Sequence, residues 1–225
     1  MSYQSEPKPT YTVVSFSGGK DSTAMLLRMM EIGEHIDEVI NVDTGMEFPA
    51  MYEHIDRVRQ QVEDAGIKYT RLANDKSFEY IMLHQEIKSG KFGTHYGYGW
   101  PTPVIRWCTR HMKLDLLNRH LKGLREEYDV IECIGLAADE LMRLSRPSNT
   151  NPSHRHPLVE WGWSEADCLE YCRERERGTR DGASYTTYSI GSRAGAVPWH
   201  PSASSASYGY TSPSYGPGSR NGRIT

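Results

Sequence analysis

Short apolar runs and longer amphipathic stretches alternate along the first 177 residues. The runs "YTVV", "VINV", "IKYTRL" and "DVIECI" have the length and composition of buried strands. The stretches that follow them place apolar residues three or four positions apart, which is typical of helices that cover a sheet. The pattern predicts an α/β fold with a doubly wound, mostly parallel, Rossmann-like sheet. A ligand site is expected beyond the carboxyl ends of the strands, where the glycine-containing loops fall.

Local signals limit several of these helices. Gly33 ends the first helix, Pro49 begins the second, and Ser164 is the expected N-cap of the last. A third helix is predicted over "SFEYIMLHQEIK" (77–88) and a fourth through "TRHMKLDLLNRHLKGL" (109–124). Between them, "SGKFGTHYGYGWPTP" is predicted to be a loop, and "HPLVE" to be a short extended piece before the last helix.

The composition changes after residue 177. The segment 178–225 contains no Leu, Phe, Met, Lys, Glu or Cys and is dominated by Ser, Gly, Tyr and Pro. Such a segment buries too little apolar surface to offset its ordering entropy. We therefore predict a flexible N-terminus over 1–10, one folded domain over 11–177 and a disordered tail over 178–225.

Charge and hydropathy restrict the compartment and the partners. A net charge of −3 creates no global basic field for nucleic acid, but leaves room for a local basic patch. No apolar run approaches the roughly 18 residues of a membrane span, and the first residues lack the apolar core of a signal peptide. The four cysteines suit reduced thiols better than a disulfide framework. These features predict a cytoplasmic protein without membrane contacts.

The string "SGGKDS" (17–22) joins the first strand to the first helix. Its glycines let backbone amides approach an anion, and the N-terminus of the helix favours negative charge. Lys20 adds a compact cation, while Ser17 and Ser22 add hydroxyl donors. The alternative is a plain strand-to-helix turn with a surface lysine, but the complete string in this context favours a phosphate-binding loop.

A strand followed by S-G-G-K-D-S resembles the pyrophosphate loop of the ATP pyrophosphatases, the adenine nucleotide alpha-hydrolase-like superfamily. Within it, the chain is similar to the phosphoadenosine phosphosulfate (PAPS) reductase family. Further stretches carry this resemblance, in the family's order from about Tyr11 to Arg175: "NVDTGMEFPAMYEHIDRV", "WPTPVIRWCTRHMKLD", "GLAADELMRL" and "HPLVEWGWSEADCLEY". The resemblance implies a loop that grips the pyrophosphate of ATP, assistance by Mg²⁺, and cleavage between the α and β phosphates that leaves AMP on an activated substrate.

The loop and the matched stretches supply the candidate site residues. The catalytic candidates are Lys20, Asp21, Asp43, Arg106 and Arg110. Asp21 and Asp43 are the expected ligands of Mg²⁺. The residues expected to contact the nucleotide are Ser15, Ser17, Gly18, Gly19, Lys20, Asp21, Ser22, Asp43, Thr44, Gly45, Lys113 and Gly135.

Two of these groups have structural alternatives. Asp43 follows the second strand and can hold Mg²⁺ or a ribose hydroxyl with help from Glu47, or it can form an Asx-type turn. A functional role is favoured for Asp43. For Glu47 the functional and the structural interpretation are equally weighted. Arg106, Arg110 and Lys113 lie near a helix start and favour an anionic group, the alternative being a solvated basic face anchored by Trp107.

The cysteines, late acids and histidines carry weaker signals. Cys108 beside arginines is a nucleophile, a metal ligand or a small buried residue, and the alternatives stay open. The resemblance favours a nucleotide-site role for Asp139 and Glu140, and a substrate contact for Arg143, over a loop-capping pair. Cys168 and Cys172 are expected to lie on an apolar helix face rather than bind metal. His154 and His156 are expected in a surface loop.

The tail suggests a change of reading frame. Relatives continue past the "CLEYC" helix with segments like W-G-G-L-Y and S-C-W-C-C-P-L. Shifting the codons of "SRAGAVPWH" (192–200) by two bases yields a string compatible with Ser-Cys-Trp-Cys-Cys-Pro-Leu. We hypothesise that the chain after about Arg177 is an out-of-frame translation of the family's C-terminal region. In intact relatives the cysteine cluster is expected to join Cys108 to hold an iron–sulfur cluster or zinc, and no bound cluster is predicted here.

Three functions compete at this stage. The favoured one is ATP cleavage to AMP and pyrophosphate to activate a substrate in sulfur transfer, with a nucleic acid or a small molecule as the acceptor. The second is thiol-dependent reduction of PAPS to sulfite. The chain lacks the cysteine motif that usually carries out this reaction, and the reaction needs no intact phosphate loop. The third is a non-catalytic nucleotide-binding product with a defective C-terminus. The expected partners are an adenine nucleotide, the acceptor and, as an open alternative, a second copy of the chain in a homodimer.

Overall fold

Parallel strands and covering helices alternate in the order that the hydrophobic pattern predicts. The structure, a computed structural model, describes residues 7–89, 93–145, 151 and 153–178 of the 225-residue chain. The strands are β1 (Thr10–Ser15), β2 (Glu38–Asp43), β3 (Lys68–Ala73), β4 (Glu86–Ser89), β5 (Gly93–Tyr96), β6 (Asp129–Ile134) and β7 (His154–Arg155). The helices are α1 (Lys20–Glu31), α2 (Pro49–Asp64), α3 (Phe78–Leu83), α4 (Asp115–Glu127), α5 (Leu141–Leu144), α6 (Pro157–Glu160) and α7 (Glu165–Gly178). A π-helix over Cys108–Leu114 leads directly into α4.

Five strands of the described part form one parallel sheet in the order β3-β2-β1-β6-β7. The order reverses at β1, so the loops that leave β1 and β6 open side by side at the carboxyl edge. Such a reversal creates a crevice where α/β proteins bind ligands. The predicted doubly wound, Rossmann-like α/β fold is confirmed, and the sheet is parallel throughout.

Alternate residues of each strand supply two cores. Val14, Val39 and Cys133 face the layer of α1, α2, α6 and α7, where residues 22–26 and 29 of α1 are buried. Val13 and Ile40 face the opposite side, where they pack against Leu121 of α4. Burial on both faces explains why these strands read as nearly continuous apolar runs.

A third, smaller core lies in residues 76–113, which we call the aromatic lobe. Its centre consists of Phe78, Ile81, Trp107 and Met112. The lobe contains α3, the antiparallel β4–β5 pair, the loop after it and most of the π-helix. It connects β3 to α4 on the carboxyl side of the sheet.

Several predicted boundaries are wrong in and near this lobe. The third helix ends at Leu83 instead of residue 88, because Glu86–Ser89 pairs with Gly93–Tyr96 and the Gly97 amide donates to the Gln85 carbonyl at 2.8 Å. Tertiary pairing here overrides a local helical pattern. The segment 89–103 therefore contains β5 rather than only loop.

The segment predicted to be extended at "HPLVE" is also different. His154 and Arg155 form β7, a fifth parallel strand, and Pro157–Glu160 forms the short helix α6. Pro157 stands at the first turn of α6, where its missing amide costs nothing. Apart from Gly178, the predicted disordered tail and the proposed frame change lie outside the described residues.

Candidate nucleotide site

The loop of Ser17, Gly18 and Gly19 runs from β1 into the N-terminus of α1. Gly18 has φ of +81°, and a Cβ placed there would lie 2.8 Å from Cγ1 of Ile55, so only glycine fits. The Ser22 hydroxyl lies 3.0 Å from the Ser17 hydroxyl and donates to the Gly19 carbonyl at 3.0 Å. The serines expected to donate to phosphate thus brace the loop from within.

The first turn of α1 presents its backbone amides at this edge. Gly19 is the N-cap and has no side chain to occupy them, although its own amide lies 3.4 Å from the Ser17 hydroxyl. The first amides of a helix have no intrahelical acceptors and lie at the positive end of the helix dipole. This arrangement suits an anion such as a phosphate group.

Gly135 follows β6 and lies against the start of α1. A Cβ at Gly135 would be 2.8 Å from the Ser22 Cα and 2.9 Å from the Ser22 nitrogen. Both contacts are to backbone, which cannot move aside as a flexible side chain could. Gly135 therefore allows the β6 loop to approach the start of α1 closely, and its contact with a nucleotide stays a prediction.

Lys20 makes two ionic contacts. Its Nζ lies 2.8 Å from Oδ1 of Asp21 and 3.1 Å from Oε2 of Glu165, the first residue of α7. Burial opposes the charged form of Lys20, but the hydrogen bonds to the two carboxylates outweigh it, and the pKa of Lys20 is raised. The lysine is positively charged and lies beside the loop. Its ammonium group contacts one carboxylate of α1 and one of α7.

Carboxylates are in excess around this lysine. Burial raises the pKa of Asp21 more than Lys20 lowers it, and the charges of Glu165 and Glu140 raise it further. Asp139 also reaches this region, because its Oδ1 accepts a hydrogen bond from the Glu165 amide at 3.0 Å. Asp139 and Glu140 thus lie near the ion pairs of Lys20, and their role at a nucleotide site stays a prediction. Arg143 binds the Oε1 atom of Glu140.

Glu165 is a residue that sequence reasoning missed. It follows Ser164, whose hydroxyl accepts from the Asp167 amide at 3.3 Å while Asp167 accepts from the Ser164 amide at 2.8 Å. This reciprocal cap confirms Ser164 as the N-cap and fixes the start of α7. The cap signal was visible in the sequence, but nothing indicated which loop the start of α7 would face.

Asp43 lies at the end of β2, one strand from the phosphate loop. Its Oδ1 accepts from the Gly45 amide and from the Tyr52 hydroxyl, both at 2.8 Å, and its Oδ2 lies 3.0 Å from Nη2 of Arg71. These contacts are the Asx turn of the structural alternative, with Gly45 at φ of +73° and Thr44 buried beside it. The role of Asp43 as a metal ligand stays a prediction.

The basic segment lies on the π-helix and just before it. Arg106 and Arg110 are exposed, and Lys113 Nζ lies 3.6 Å from Oε1 of Glu47. That ion pair joins the π-helix to the loop after β2. Trp107 is the buried anchor that the sequence suggested, since its Nε1 donates to the Gly99 carbonyl at 2.9 Å. The segment thus presents cations beside the loop of Asp43.

Ser15 lies at the end of β1 and turns toward the α4 side of the sheet. Its hydroxyl donates to Oε1 of Glu132 at 2.6 Å, and Oε2 of Glu132 lies 3.5 Å from Nε2 of His154. The expectation that His154 lies in a surface loop is wrong, because it belongs to β7 and is half-buried. The Ser15 hydroxyl is therefore hydrogen-bonded to the buried carboxylate of Glu132, a residue that the sequence gave no reason to single out.

His54 is a second residue that the sequence analysis missed. Its Nε2 lies 3.0 Å from the Thr23 hydroxyl, in the first turn of α1, and its ring stands 6.5 Å from the ring of Phe16. Burial lowers the pKa of His54, and Arg57 lowers it further. A neutral histidine thus supports the helix turn behind the phosphate loop.

The cysteines are distributed over different parts of the fold. Cys133 and Cys168 are buried, and burial raises the pKa of each thiol to about 12. Cys168 packs in the core of α1 and α7 and Cys172 lies beside it, as expected for an apolar helix face. Cys108 packs against the core of the aromatic lobe. All four lie in the described part of the chain, and none forms a disulfide.

Between residues 7 and 178, leaving out the undescribed positions, no three His, Cys, Asp or Glu side chains are grouped so that they could hold a metal ion. Over that part of the chain, every helix is too short or too polar to cross a bilayer.

A family model and two known proteins match this chain. Residues 11–176 match the family model of the phosphoadenosine phosphosulfate reductase domain. An uncharacterized protein of Methanocaldococcus jannaschii is 31% identical over 135 residues, which is 60% of this chain but 24% of that protein. The U34-tRNA thiolase NcsA of Methanococcus maripaludis, solved with its 4Fe–4S cluster, is 19% identical with a TM-score of 0.45, covering 76% of this chain and 58% of NcsA. The chain thus spans about a quarter of the first relative and less than two thirds of the second.

Proposed function

Because the chain belongs to the phosphoadenosine phosphosulfate reductase domain family, a family of nucleotide-using enzymes of sulfur chemistry, we propose that it cleaves ATP to AMP and pyrophosphate. The acceptor's nucleophile attacks the α-phosphorus, the bond to the bridging oxygen breaks, and pyrophosphate leaves. AMP then remains on the acceptor, which is activated for sulfur transfer. The acceptor is a nucleic acid or a small molecule.

One observation carries this proposal: the backbone cradle formed by Gly18, Gly19 and Gly135 at the start of α1. Side chains are excluded at Gly18 by Ile55 and at Gly135 by the Ser22 backbone, both at 2.8 Å, so the loop, the β6 loop and the start of α1 pack closely around the first amides of the helix. A cradle of this kind suits a chain of phosphates, whose oxygens accept from several amides at once. A single sulfate ester would use less of it.

Lys20 and the amides of residues 17–20 would hold the β and γ phosphates. Lys20 is already paired with two carboxylates, so the incoming phosphates would compete with Glu165 and Asp21 for its Nζ. Binding of a bare tetra-anion beside these carboxylates would be unfavourable. The excess of acids therefore favours a nucleotide that arrives with a divalent cation.

Asp21 fits such a cation better than the other candidates. Burial is the main reason that its pKa is raised, and the charges of Glu165 and Glu140 raise it further, so a cation beside Asp21 would stabilise its ionised form. Mg²⁺ is usually held by one or two carboxylates together with phosphate oxygens and water, so it needs no group of three protein ligands. When bound, Mg²⁺ screens the phosphate charge as pyrophosphate departs.

Arg106, Arg110 and Lys113 would hold the acceptor or the departing pyrophosphate. The first two are exposed, and Lys113 is held near the β2 loop by Glu47. Guanidinium groups bind phosphate oxygens in pairs, which suits a group that gains charge as it leaves.

The test is turnover of α-labelled and γ-labelled ³²P-ATP with Mg²⁺, comparing wild type with Lys20→Ala. Wild type should form AMP and pyrophosphate, and Lys20→Ala should be slower by about 100-fold, since one electrostatic contact to developing charge contributes that much. Lys122→Ala, which removes an exposed lysine of α4, is the matched control and should leave the rate unchanged.

Parallel assays separate the competing functions. Release of sulfite from PAPS with a dithiol, without AMP formation from ATP, would replace the proposal by thiol-dependent reduction. Tight ATP binding without either product would identify a nucleotide-binding chain that lacks catalysis. Equal rates for wild type and Lys20→Ala would remove the phosphate loop from the reaction.

A further inference from the structure

The aromatic lobe has a charge opposite to that of the rest of the chain. Residues 76–113 contain six Lys or Arg and two Glu, a net charge of +4, which leaves −7 for the other residues of a chain whose total is −3. Arg106 and Arg110 are exposed, and Lys88 has a side chain that is 80% exposed. A locally basic surface on an acidic protein favours an anionic partner at this lobe.

The same lobe exposes large apolar side chains. Trp100 is 68% exposed, Tyr96 is 69% exposed and Val104 is 91% exposed. Exposed aromatic residues interspersed with cations are typical of surfaces that stack unpaired bases and hold phosphates.

These side chains stand on a well-supported frame. The amides of Tyr98 and Gly99 donate to carbonyls of α3, at 3.3 and 3.0 Å. Trp100 packs edge-on against Phe78, with ring centroids 6.2 Å apart. Beyond it, Ile105 closes a tight turn with Thr102 through two hydrogen bonds of 2.9 and 3.1 Å. The backbone that carries Trp100 and Val104 is held by hydrogen bonds and packing, so the exposure of these side chains does not result from a loosely held loop.

The lobe lies beside the candidate nucleotide site. Its π-helix contacts the loop after β2 through Lys113 and Glu47, and the His111 carbonyl accepts from Asn74 Nδ2 at 3.4 Å after β3. A partner bound to the lobe would therefore meet the carboxyl edge of the sheet. This position suits the acceptor of the proposed reaction.

We propose that the aromatic lobe binds single-stranded nucleic acid, with bases stacked on Trp100 and Tyr96 and backbone phosphates held by Arg106 and Arg110. Binding of a single strand by the lobe requires no ATP and does not depend on the proposed function. Only the identification of this strand as the acceptor of the reaction rests on the proposed function. Paired bases hide their faces, so a duplex offers the exposed rings little to stack on. A lobe-to-lobe dimer would bring two +4 surfaces together, which disfavours a second copy as the occupant.

Fluorescence anisotropy of a labelled 20-nucleotide single strand with the full chain tests the proposal. Single-stranded RNA, single-stranded DNA of the same sequence, the duplex and heparin are compared without ATP. The single strand should bind more tightly than the duplex, and Trp100→Ala should weaken it by about 10-fold, as expected for the loss of one stacked base. Heparin binding, which needs no stacking, should be unchanged in Trp100→Ala.

Charge and apolar controls sharpen the result. Arg106→Ala should reduce the slope of log affinity against log salt by about 0.7, the change expected for one lost phosphate contact. Ile32→Ala and Lys122→Ala alter an exposed apolar residue and an exposed cation outside the lobe, and should bind like wild type. Tyr96→Ala repeats the stacking test if thermal melting shows that Trp100→Ala is poorly folded.

Four outcomes would overturn the proposal. They are no binding of any single strand, equal binding of strand and duplex, an unchanged affinity in both Trp100→Ala and Tyr96→Ala, and a dimer in light scattering that Val104→Glu dissociates. The last would assign the face to a second copy. Strand binding with no ATP cleavage would contradict the proposed function alone, and ATP cleavage with no strand binding would contradict this inference alone.

Discussion

Two clusters of carboxylates and cations lie at opposite edges of the sheet, and they differ in how completely they are paired. At the amino edge, the fully buried Glu38 accepts from the Thr70 hydroxyl, and its Oε1 lies 3.2 Å from Lys68 Nζ and 3.0 Å from His120 Nε2. Burial alone would raise the pKa of Glu38, but these partners outweigh it and the pKa is lowered. This cluster is satisfied by the protein itself.

The cluster at the carboxyl edge is not satisfied in this way. Lys20 faces both Asp21 and Glu165, Glu140 is paired with Arg143 but still acts on Asp21, and the pKa of Asp21 is raised, mainly by burial. The comparison shows that burial of charge does not by itself mark a functional site. The more deeply buried cluster has its carboxylate paired within the protein, whereas the other cluster lies where we propose that a cation and an anion bind.

The largest expected effect comes from closing the cradle at the carboxyl edge. Gly135→Ala would place a Cβ 2.8 Å from the Ser22 Cα, which forces the β6 loop and α1 apart. A displacement of about 1 Å in a site can cost about 100-fold in rate, so AMP formation should fall by that factor.

Gly123→Ala is the matched control for this substitution. A Cβ at Gly123 would have no neighbour within 4 Å, and the residue lies inside α4. Alanine there should stabilise the helix by about 0.5–1 kcal/mol without changing turnover. Equal turnover in Gly135→Ala and Gly123→Ala would show that the close approach of Gly135 plays no part in the reaction.

The next effect tests the amino edge. Glu38→Gln leaves Lys68 and His120 without their buried partner and should lower the free energy of unfolding by about 3 kcal/mol, measured by urea denaturation. Turnover of the folded enzyme should stay within twofold of wild type. Glu63→Gln, at an exposed position of α2, should have almost no effect on either quantity.

The lowered pKa of Glu38 adds a pH signature. A carboxyl whose folded pKa lies below its ordinary 4.5 contributes stability above that value, which is lost as the pH falls through the folded pKa. Wild type should therefore lose stability on acidification below 4.5 more steeply than Glu38→Gln. Parallel curves for the two proteins would show that Glu38 is not the group that links folding to pH at this edge.

Local sequence signals predicted the loop at the carboxyl edge better than the ion pairs at either edge of the sheet. The glycine loop between β1 and α1 was predictable because its glycine, lysine and serine residues lie within six positions, while its binding of phosphate stays a prediction. The contact between Lys20 and Glu165 joins residues 145 positions apart, and nothing local to either residue announces it. Glu38 likewise reads as one polar residue at the start of a strand, and its partners come from β3 and α4.

The same reasoning explains the errors in the fold. The main strands and helices were predictable, since their apolar periods are long enough to be counted. β7 has two residues and β4 has four, too few to show a period, so each depends on pairing with a distant segment. His154 was placed in a loop for that reason.

A smaller effect is expected from releasing Lys20. Glu165→Gln removes one of the two carboxylates that compete with phosphate for its Nζ, so ATP should bind about fivefold more tightly, roughly 1 kcal/mol for a partly exposed ion pair. Isothermal titration with Mg²⁺-ATP measures this change. Glu170→Gln, on an exposed part of α7, controls for the loss of one negative charge. Weaker binding in Glu165→Gln would mean that Glu165 holds the lysine in place for the nucleotide instead of competing with it.

The smallest effect concerns His54, which supports the carboxyl edge from behind through Thr23. Burial lowers the pKa of His54 in the folded state, so the unfolded chain binds the proton more readily. Stability contributed by the neutral ring is complete above the ordinary value of 6.5 and is lost as the pH falls below it. Urea unfolding of wild type at pH 7.5 and at 5.5 should show this loss, and His54→Gln should lack that part of it.

The substitution also separates the two edges of the sheet. Because His54 contacts the first turn of α1, protonation of the folded ring at a pH below its lowered pKa should weaken Mg²⁺-ATP binding in wild type by a few-fold, and less so in His54→Gln. Glu38→Gln should retain the full weakening, since its cluster lies at the opposite edge of the sheet. If both variants changed the pH dependence of binding equally, the two edges would be coupled, and the division between a satisfied structural cluster and an unsatisfied functional one would fail.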